Sequence, residues 1–264
     1  VTEAKSTCYT YTTYGNTVLG TRQMLTLQSA ANQVTGMALQ VAAGTSLTIE
    51  DSAIIDARTN LTKENIAQYL SINGNLIVNG QLWLPNDPPE EILETLTGHL
   101  SGTGTVLIGN SPDAAHYIVS VSESGASSSG NGLYRPGDTV TINAGLRNGL
   151  RFKGWRVSED VSLENTSALQ TTFVMPEHSV QITAQWEIPV TDVRLDRISL
   201  SMLPGDTALL HMTILPSDAS NQNAVWTSDH PETASVDPDG KVTALAPGLA
   251  KITVTTSDGQ KTAS

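Results

Sequence analysis

The sequence is poor in cysteine, in aromatic residues and in positive charge, and it has no long apolar run. Its 264 residues include one cysteine, Cys8, which excludes an internal disulfide and a cysteine-based zinc site. Scarce cysteine does not exclude export, because many secreted proteins avoid this residue. No stretch reaches the roughly 18 apolar residues of a membrane-spanning helix, so the sequence predicts no membrane insertion.

Acidic residues outnumber basic residues in the chain. Lysine and arginine total 14 against 26 aspartates and glutamates, for a net charge of −12. Nucleic acids and anionic membrane surfaces are bound by basic faces, so the sequence predicts neither partner. Aromatic residues are only 5% of the chain, whereas β-branched threonine is common, which is typical of β-structure. The length accommodates about two to three small domains.

Residues 189–264 form a series of short strands separated by turn signals. Ile198 and Leu200 alternate with serines, which predicts a half-buried strand. Trp226 stands in mid-strand and is predicted to fill the core between two sheets. Asp239-Gly240 predicts the tip of a hairpin. Strands this short, at roughly ten-residue spacing, are typical of a β-sandwich.

Several motifs in this segment follow a recognisable order. They are Pro204-Gly205-Asp206-Thr207, Ala224-Val225-Trp226-Thr227-Ser228, Gly240-Lys241-Val242-Thr243 and Pro247-Gly248. The segment resembles the bacterial group 2 immunoglobulin-like domain, a module of surface and secreted proteins. The resemblance implies a non-catalytic sandwich in an extracellular protein. The family pattern continues with one more apolar strand after residues 261–264, so we expect an incomplete last strand and an open sheet edge.

Residues 116–188 contain a second ordered set of motifs. They are Tyr134-Arg135-Pro136-Gly137-Asp138, Phe152-Lys153-Gly154-Trp155, Thr171-Thr172-Phe173-Val174-Met175-Pro176 and Val180 to Trp186, after a Gly/Ser-rich loop at residues 122–132. This set resembles the B repeat of internalin-type proteins, which implies a small, mostly antiparallel β-domain. Large side chains must supply much of its burial. The predicted core residues are Phe152, Trp155, Phe173, Met175 and Trp186.

Residues 1–115 carry apolar pairs at a short fixed period. Leu70, Leu76 and Leu82 are six residues apart, and Asn-Gly steps lie between them. This period predicts stacked rungs of a parallel β-helix, about four or five in number. A meander with Asn-Gly hairpins is the alternative. Two short helical insertions are predicted, at residues 63–69 and 88–96.

Residues that could carry catalysis are dispersed. The five histidines lie in separate loops or strand ends, and no Gly-x-Ser-x-Gly elbow is present. Glu50 and Asp56 are six residues apart and could stack on neighbouring rungs, where paired acids would suit glycoside chemistry. They alternate with inward Ile49 and Ile55, however, so we expect a solvated outward face. The sequence therefore predicts no catalytic residue and no enzyme.

Residues that could bind a metal are dispersed as well, since no two histidines lie closer than 17 residues. Two acidic groups could offer oxygen ligands to calcium. They are Asp237, Asp239 and Asp258, and Glu50, Asp51 and Asp56. Aspartate is common in turns for its own conformational reasons. We therefore predict no metal and no cofactor, with calcium as the alternative.

Two surface features could contact a ligand. Trp83 lies between inward Leu82 and Leu84, so alternation points it outward. There it could stack on a sugar ring, anchor a partner or be covered by the helix at residues 88–96. A basic group consists of Arg147, Arg151, Lys153 and Arg156. It could dock a sulfated or sialylated glycan, or be balanced by the acids at residues 159–164. Trp83 is the predicted ligand-binding residue.

Taken together, these signals predict an all-β protein of three domains: a β-helix-like domain at residues 1–115, an antiparallel repeat domain at 116–188 and an immunoglobulin-like sandwich at 189–264. The chain begins at Val1 without a leader, which indicates a processed or excised part of an extracellular, bacterial surface or secreted protein. We expect adhesion or surface display, with a glycan or a host or matrix protein as partner and the C-terminal modules as stalk. The alternatives are a carbohydrate-binding accessory region of a secreted carbohydrate-active enzyme and a purely structural spacer.

Overall fold

A computed structural model describes residues 8–13, 15–27, 36–58, 61, 65–109, 115–158 and 160–264. The fold is all-β, as the sequence predicts, apart from two short helices in these residues. The chain divides into two compact units. The first unit comprises Val1–Leu146 and Gly154–Gln185, and the second comprises Arg147–Lys153 and Trp186–Ser264. The division into three domains stays a prediction.

The coiled region, residues 8–109 of the first unit, consists of short strands and two helices. In chain order these are β1 (Cys8–Thr12), β2 (Asn16–Leu19), β3 (Met24–Thr26), β4 (Gly36–Val41), β5 (Ser46–Ile49), β6 (Ile54–Asp56), α1 (Ile66–Tyr69), β7 (Leu70–Ile72), β8 (Asn75–Val78), β9 (Gln81–Leu84), α2 (Glu90–His99), β10 (Leu100–Ser101) and β11 (Thr105–Ile108). The described strands pair in parallel in the orders β1-β4-β7, β2-β5-β8-β10 and β3-β6-β9-β11. Stacked rungs require parallel pairing, whereas a hairpin is antiparallel.

The six-residue period marks successive sheets of one turn of the coil, and not successive rungs. Leu76 pairs in register with Leu47 on one side and Leu100 on the other, rather than with Leu70 or Leu82. The prediction that residues six apart stack on neighbouring rungs was wrong. The reason is that the turns β1–β3, β4–β6 and β7–β9 each visit all three sheets before the chain returns to the first one.

Asn-Gly steps form corners between sheets instead of hairpin tips. The N–H groups of Asn79 and Gly80 both donate to the Ile49 carbonyl, at 2.8 and 3.0 Å, and the Asn73-Gly74 step bonds the preceding turn in the same way. A Cβ at Gly80 would lie 2.2 Å from the carbonyl oxygen of Ala53. Glycine is required here because the backbone of the preceding turn passes so close.

Inward side chains of the three sheets meet in one core. Its buried members include Leu39, Val41, Leu47, Ile49, Ile55, Leu70, Ile72, Leu76, Val78, Leu82, Leu84 and Val106. Helix α2 joins this core through Ile92 and Leu96, so the insertion predicted at residues 88–96 is confirmed as a helix that runs on to His99. Helix α1 lies within the other predicted insertion, of which residues 63 and 64 fall outside the described residues.

The repeat region continues the long sheet of the coiled region. Its strands are β12 (Ala115–Ser122), β13 (Gly132–Tyr134), β14 (Thr139–Asn143), β15 (Arg151–Arg156), β16 (Gln170–Val174) and β17 (Val180–Glu187). β12 pairs antiparallel with β11 and parallel with β17, and β13 also pairs with β12. Ser179 bonds both regions, because its hydroxyl accepts from the Ile118 N–H at 2.8 Å and donates to the Gly104 carbonyl at 2.6 Å.

The core predicted for the repeat region is correct at three positions and wrong at two. Trp155, Phe173 and Met175 are buried. Phe152 and Trp186 are only half-buried and meet edge to face, with centroids 5.4 Å apart, in the second unit. Phe152 and Trp155 are three residues apart on β15, and residues an odd number apart project from opposite faces of a strand, so the two rings do not share one core.

The second unit contains antiparallel strands around Trp226. They are β18 (Asp192–Leu195), β19 (Thr207–Leu209), β20 (Met212–Leu215), β21 (Ala224–Ser228), β22 (Ala234–Val236), β23 (Lys241–Ala244), β24 (Ile252–Thr256) and β25 (Thr262–Ala263). Their orders are β18-β20, β19-β23-β22 and β21-β24-β25. Trp226 is buried in the core, and Val236 faces Val242 across the hairpin whose tip is Asp239-Gly240. Both predictions are confirmed.

The strand predicted at Ile198 and Leu200 is absent. These residues lie in irregular backbone between β18 and β19, and Ile198 is 94% exposed. Residues 192–195 pair with β20 instead. The Asp196 carboxylate then accepts from the His211 N–H at 3.0 Å, and the regular pairing ends there. The alternating pattern at Ile198 and Leu200 therefore did not produce a strand.

Candidate recognition face

A row of outward side chains crosses the long sheet of the first unit. Strand registers align Gln81 with Thr105, Thr105 with Tyr117, and Tyr117 with Tyr134. Residues paired directly across strands project from the same face, and neighbouring strands lie about 4.8 Å apart. Two tyrosines and two smaller hydrogen-bonding side chains therefore occupy about 15 Å of one face. We call this set the aromatic row.

Trp83 lies beside the aromatic row. It is two residues after Gln81 on β9, so it shares the outward face, and its indole N–H donates to Gln81 Oε1 at 2.8 Å. The Arg58 guanidinium carbon lies 3.8 Å from the centroid of the Trp83 ring, a cation–π contact. Trp83 is half-buried, and the Arg58 guanidinium lies over its ring. Ligand binding by Trp83 stays a prediction.

Asp56 holds Arg58 in place. The Arg58 guanidinium donates from Nε to Oδ1 at 2.9 Å and from Nη2 to Oδ2 at 3.1 Å, and the Arg58 backbone N–H donates to Oδ1 at 3.0 Å. Burial alone would raise the pKa of Asp56, but the hydrogen bonds and charge of Arg58 outweigh burial and hold this pKa below its ordinary value. Asp56 is therefore a carboxylate at neutral pH and neutralises the charge that the Arg58 side chain brings to this face.

The acids considered for glycoside chemistry do not come together. Glu50 lies in the turn between β5 and β6, where its carbonyl accepts from the Ala53 N–H at 2.9 Å. Asp56 stands in register with Thr26 and Trp83 on the neighbouring strands. Asp56 is also only 7% exposed, so the expectation that its face is solvated was wrong. Arg58 covers it.

Sequence reasoning missed Arg58 and the two tyrosines of the row. Asp56 and Arg58 are two residues apart at the end of a strand, a spacing that places both side chains on one face and could have indicated the pair. Tyr117 and Tyr134 align with Gln81 only through strand registers across two regions. No local spacing in the sequence predicts that alignment.

A polar cleft of about 390 Å³ lies between the end of α2 and the Gly/Ser-rich loop. Thr97 and Gly98 line one side, and residues 121–131 line the other. The loop is bonded to the end of β14: the Ser124 hydroxyl donates to the Asn143 carbonyl at 2.8 Å, and the Asn143 N–H donates to the Ser129 carbonyl at 3.1 Å. These bonds attach the loop to β14 at two points.

The second unit contains a separate ionic cluster around Arg151. Arg151 Nε donates to Glu187 Oε1 at 2.8 Å, and its Nη2 donates to Asp258 Oδ1. The other Asp258 oxygen accepts from the Val190 N–H at 2.9 Å. The hydrogen bond from Arg151, then that from Val190, holds the pKa of Asp258 below its ordinary value. Asp258 therefore serves as a structural anion here.

Two members of the basic group, Arg147 and Arg151, have partners within the second unit. Arg151 is balanced by Glu187 and Asp258, and not by the acids at residues 159–164 that the sequence suggested. The Arg147 guanidinium carbon lies 5.9 Å from the Trp186 ring centroid. Of the predicted balancing acids, Asp160 pairs with His178 at 2.5 Å, and Glu159 lies outside the described residues. The sequence placed these charges on the right segment but with the wrong partners.

Acids suggested for calcium have other roles in the second unit. Asp237 Oδ1 accepts from the backbone N–H groups of Asp239 and Lys241, at 3.0 and 2.9 Å, which is the turn role expected of it. Asp258 is bonded to Arg151. Within the described parts of the chain, no three histidine, cysteine, aspartate or glutamate residues cluster as metal ligands.

Two family models match this chain, and each covers one of the segments described above. Residues 189–264 match the bacterial Ig-like domain (group 2), and residues 117–189 match the divergent InlB B-repeat domain. Both resemblances predicted from the sequence are confirmed. The fold and these matches define a modular β-protein of a class typical of surface or secreted multidomain proteins, whose Ig-like and repeat modules are typically non-catalytic. Among the described residues, no helix has the length and apolar character needed to cross a membrane.

Similar curated proteins come from several organisms. The chain is 39% identical over 69 residues to an uncharacterized protein of Clostridium acetobutylicum, 38% over 88 residues to lacto-N-biosidase of Bifidobacterium bifidum, and 36% over 90 residues to an Ig-like virion protein of Serratia phage KSP90. These matches cover 26%, 32% and 34% of this chain, and 17%, 8% and 34% of the relatives. The chain therefore spans a minor part of each relative.

Proposed function

We propose that this chain is a non-catalytic part of a bacterial surface or secreted multidomain protein that acts in adhesion or surface display. The recognition face lies on the long sheet of the first unit, where strands of the coiled region meet β12 and β13 of the repeat region. The rest of the repeat module and the Ig-like module act as spacers. The two family matches support this proposal, because modules of both kinds are typical of surface and secreted proteins. The dispersal of the histidines and of the acids supports the absence of catalysis.

The aromatic row, together with Trp83, is the observation that carries the proposal. Sugar rings have apolar faces that pack on aromatic side chains, while their hydroxyls bond to polar groups such as Gln81 and Thr105. A small ligand is usually enclosed in a concave pocket, whereas this row follows the flat face of a sheet. An extended saccharide chain is the ligand shape that suits a flat row.

An uncharged saccharide is the class that this face favours. Arg58 would attract an acidic sugar if its guanidinium fork were available, but Asp56 occupies that fork through two hydrogen bonds. Tyr117, Tyr134 and Gln81 carry no charge at neutral pH. Recognition would therefore depend on ring stacking and on hydroxyl hydrogen bonds rather than on ion pairing.

The test is binding of the full chain to neutral glycans, acidic glycans and matrix proteins, each with and without calcium. We expect Trp83→Ala and Tyr117→Ala each to weaken binding of a neutral saccharide about tenfold, the equivalent of about 1.4 kcal/mol. Tyr11→Ala is the matched control, because it removes an aromatic side chain that is 44% exposed on β1, in another sheet. Circular dichroism would establish that each variant is folded.

Binding that Tyr117→Ala and Trp83→Ala leave unchanged would refute the recognition face. Tyr117→Phe separates the two contributions of the side chain, since it keeps the ring and loses the hydroxyl. If Tyr117→Phe binds as well as the unchanged chain while Tyr117→Ala does not, ring stacking is the contribution that matters.

A second candidate is an accessory, carbohydrate-binding region of a secreted carbohydrate-active enzyme. The 38% identity with lacto-N-biosidase over 88 residues favours it. It predicts the same saccharide binding, together with a catalytic domain elsewhere on the same polypeptide. A purely structural spacer predicts no ligand in any arm of the test.

A further inference from the structure

Four Asn-Gly steps in this chain present the same chemistry in different surroundings. An asparagine side chain loses ammonia when the backbone nitrogen of the next residue attacks its amide carbon, and glycine hinders this attack least because it has no side chain. The steps are Asn73-Gly74, Asn79-Gly80, Asn131-Gly132 and Asn148-Gly149. Since glycine follows in all four, local structure decides which of them reacts.

The two steps in the coiled region have an engaged attacking nitrogen. The Gly74 N–H donates to the Val41 carbonyl at 3.1 Å, and the Gly80 N–H donates to the Ile49 carbonyl at 3.0 Å. Both glycines are buried at corners of the coil. The glycine nitrogen at either corner can therefore attack only after its hydrogen bond to the preceding turn opens locally.

The step at Asn131 has an engaged side chain instead. Asn131 Oδ1 accepts from the Val121 backbone N–H at 2.5 Å. This hydrogen bond restricts rotation of the Asn131 side-chain amide. Gly132 is buried as the first residue of β13 and pairs with Val119. The amide carbon and the attacking nitrogen are thus both held in the folded chain.

The step at Asn148 has neither restraint. Asn148 and Gly149 are exposed in a turn that the Leu150 N–H closes by donating to the Arg147 carbonyl at 3.1 Å. Gly149 has φ at +75°, and a Cβ built there would meet no atom within 4 Å. In the portions of the chain that the structure describes, neither the Asn148 side chain nor the Gly149 N–H makes a hydrogen bond.

We propose that Asn148 is a site of spontaneous deamidation and the fastest of the four. The Gly149 nitrogen bonds to the Asn148 side-chain carbon and gives up its proton, ammonia leaves, and water then opens the cyclic imide to aspartate or isoaspartate. The product adds a carboxylate beside Arg147, whose guanidinium lies over Trp186. Isoaspartate also lengthens the backbone inside the turn that Leu150 closes.

The test is incubation of the full chain at mildly alkaline pH, followed by digestion and mass measurement of the four Asn-Gly peptides over time. We expect Asn148 to deamidate about tenfold faster than each of the other three, because those must first open locally. A rate at Asn148 no higher than the rate at Asn79 would overturn the proposal. In denaturant the four rates should converge, and rates that stay apart would show that structure is not the cause.

Glutamine variants provide the matched pair for the folded chain. Asn148→Gln should abolish most early ammonia release, because glutamine must close a larger and slower-forming ring. Asn79→Gln should leave that release unchanged. If Asn148→Gln releases ammonia as fast as the unchanged chain, the assignment to Asn148 is wrong.

Discussion

The coiled region and the second unit use the same apolar alternation, but their buried partners lie at different distances along the chain. In the coiled region Leu76 meets Leu47 and Leu100, so its contacts join separate turns. In the second unit Val236 meets Val242 across one hairpin. The difference shows that alternation identifies inward residues only where a strand forms, and identifies their partners only where a turn lies between them.

The largest expected effect is a difference in stability between two residues that have the same alternating pattern but differ in burial. Leu82 is fully buried in the coiled region, and Ile198 is 94% exposed in the second unit. We expect Leu82→Ala to lower the free energy of unfolding by about 2–5 kcal/mol, and Ile198→Ala to change it by less than about 0.5 kcal/mol. Native-state hydrogen exchange, followed separately for the two units, measures both changes.

A large loss of stability with Ile198→Ala would break this comparison. It would mean that residue 198 is covered in solution, and that the strand expected from the sequence exists after all.

Glycines of the two regions should respond differently to alanine. A Cβ at Gly80 would meet backbone atoms at 2.2 and 2.4 Å, whereas Gly205 has φ at +95° and nothing within 4 Å of its Cβ. We expect Gly80→Ala to cost about 3 kcal/mol through overpacking, and Gly205→Ala to cost about 1–2 kcal/mol through backbone strain alone. Urea unfolding of the two variants measures the difference.

Equal costs at the two glycines would contradict the corner geometry of the coiled region. In that event the preceding turn would not pass against Gly80 as closely as described.

Acid should weaken the second unit through Asp258. Its pKa is depressed in the folded state by the hydrogen bond from Arg151, so its stabilising contribution is present above the unfolded pKa of about 3.9 and is lost as the pH falls through the folded value. We expect Arg151→Gln to reduce this acid-dependent loss, and Lys153→Gln, a nearby exposed cation, to leave it unchanged. Thermal unfolding across the acid range, followed through hydrogen exchange of peptides from the second unit, measures this acid-dependent loss.

Identical acid profiles for Arg151→Gln and Lys153→Gln would show that Asp258 draws no stabilisation from Arg151. The depressed pKa would then need another cause, such as the Val190 N–H.

Much of the fold followed from the sequence where local signals were sufficient. The hairpin at Asp239-Gly240 and the buried Trp226 were predicted, because turn residues and a single large side chain specify them locally. The two module resemblances rested on ordered motifs and were confirmed. The inward residues of the coiled region were also identified by alternation, including Leu82 and Leu84.

Other features depended on long-range pairing that spacing cannot specify. A six-residue period is equally compatible with stacked rungs and with successive sheets of one turn, so Leu70, Leu76 and Leu82 were assigned the wrong neighbours. Within the candidate site, alternation placed Trp83 on the outer face, but only strand registers bring Tyr117 and Tyr134 into line with Gln81. The sequence therefore predicted one residue of the candidate site, and the strand topology identified the others.

Hydrogen–deuterium exchange of the full chain, with and without the tightest-binding uncharged saccharide from the glycan test, would locate the recognition face. We expect slower exchange in β9, β11 and β12, which carry Trp83, Thr105 and Tyr117, and unchanged exchange in Trp186–Ser264. Slower exchange confined to Trp186–Ser264, or no saccharide that binds at all, would contradict the assignment of recognition to the long sheet of the first unit.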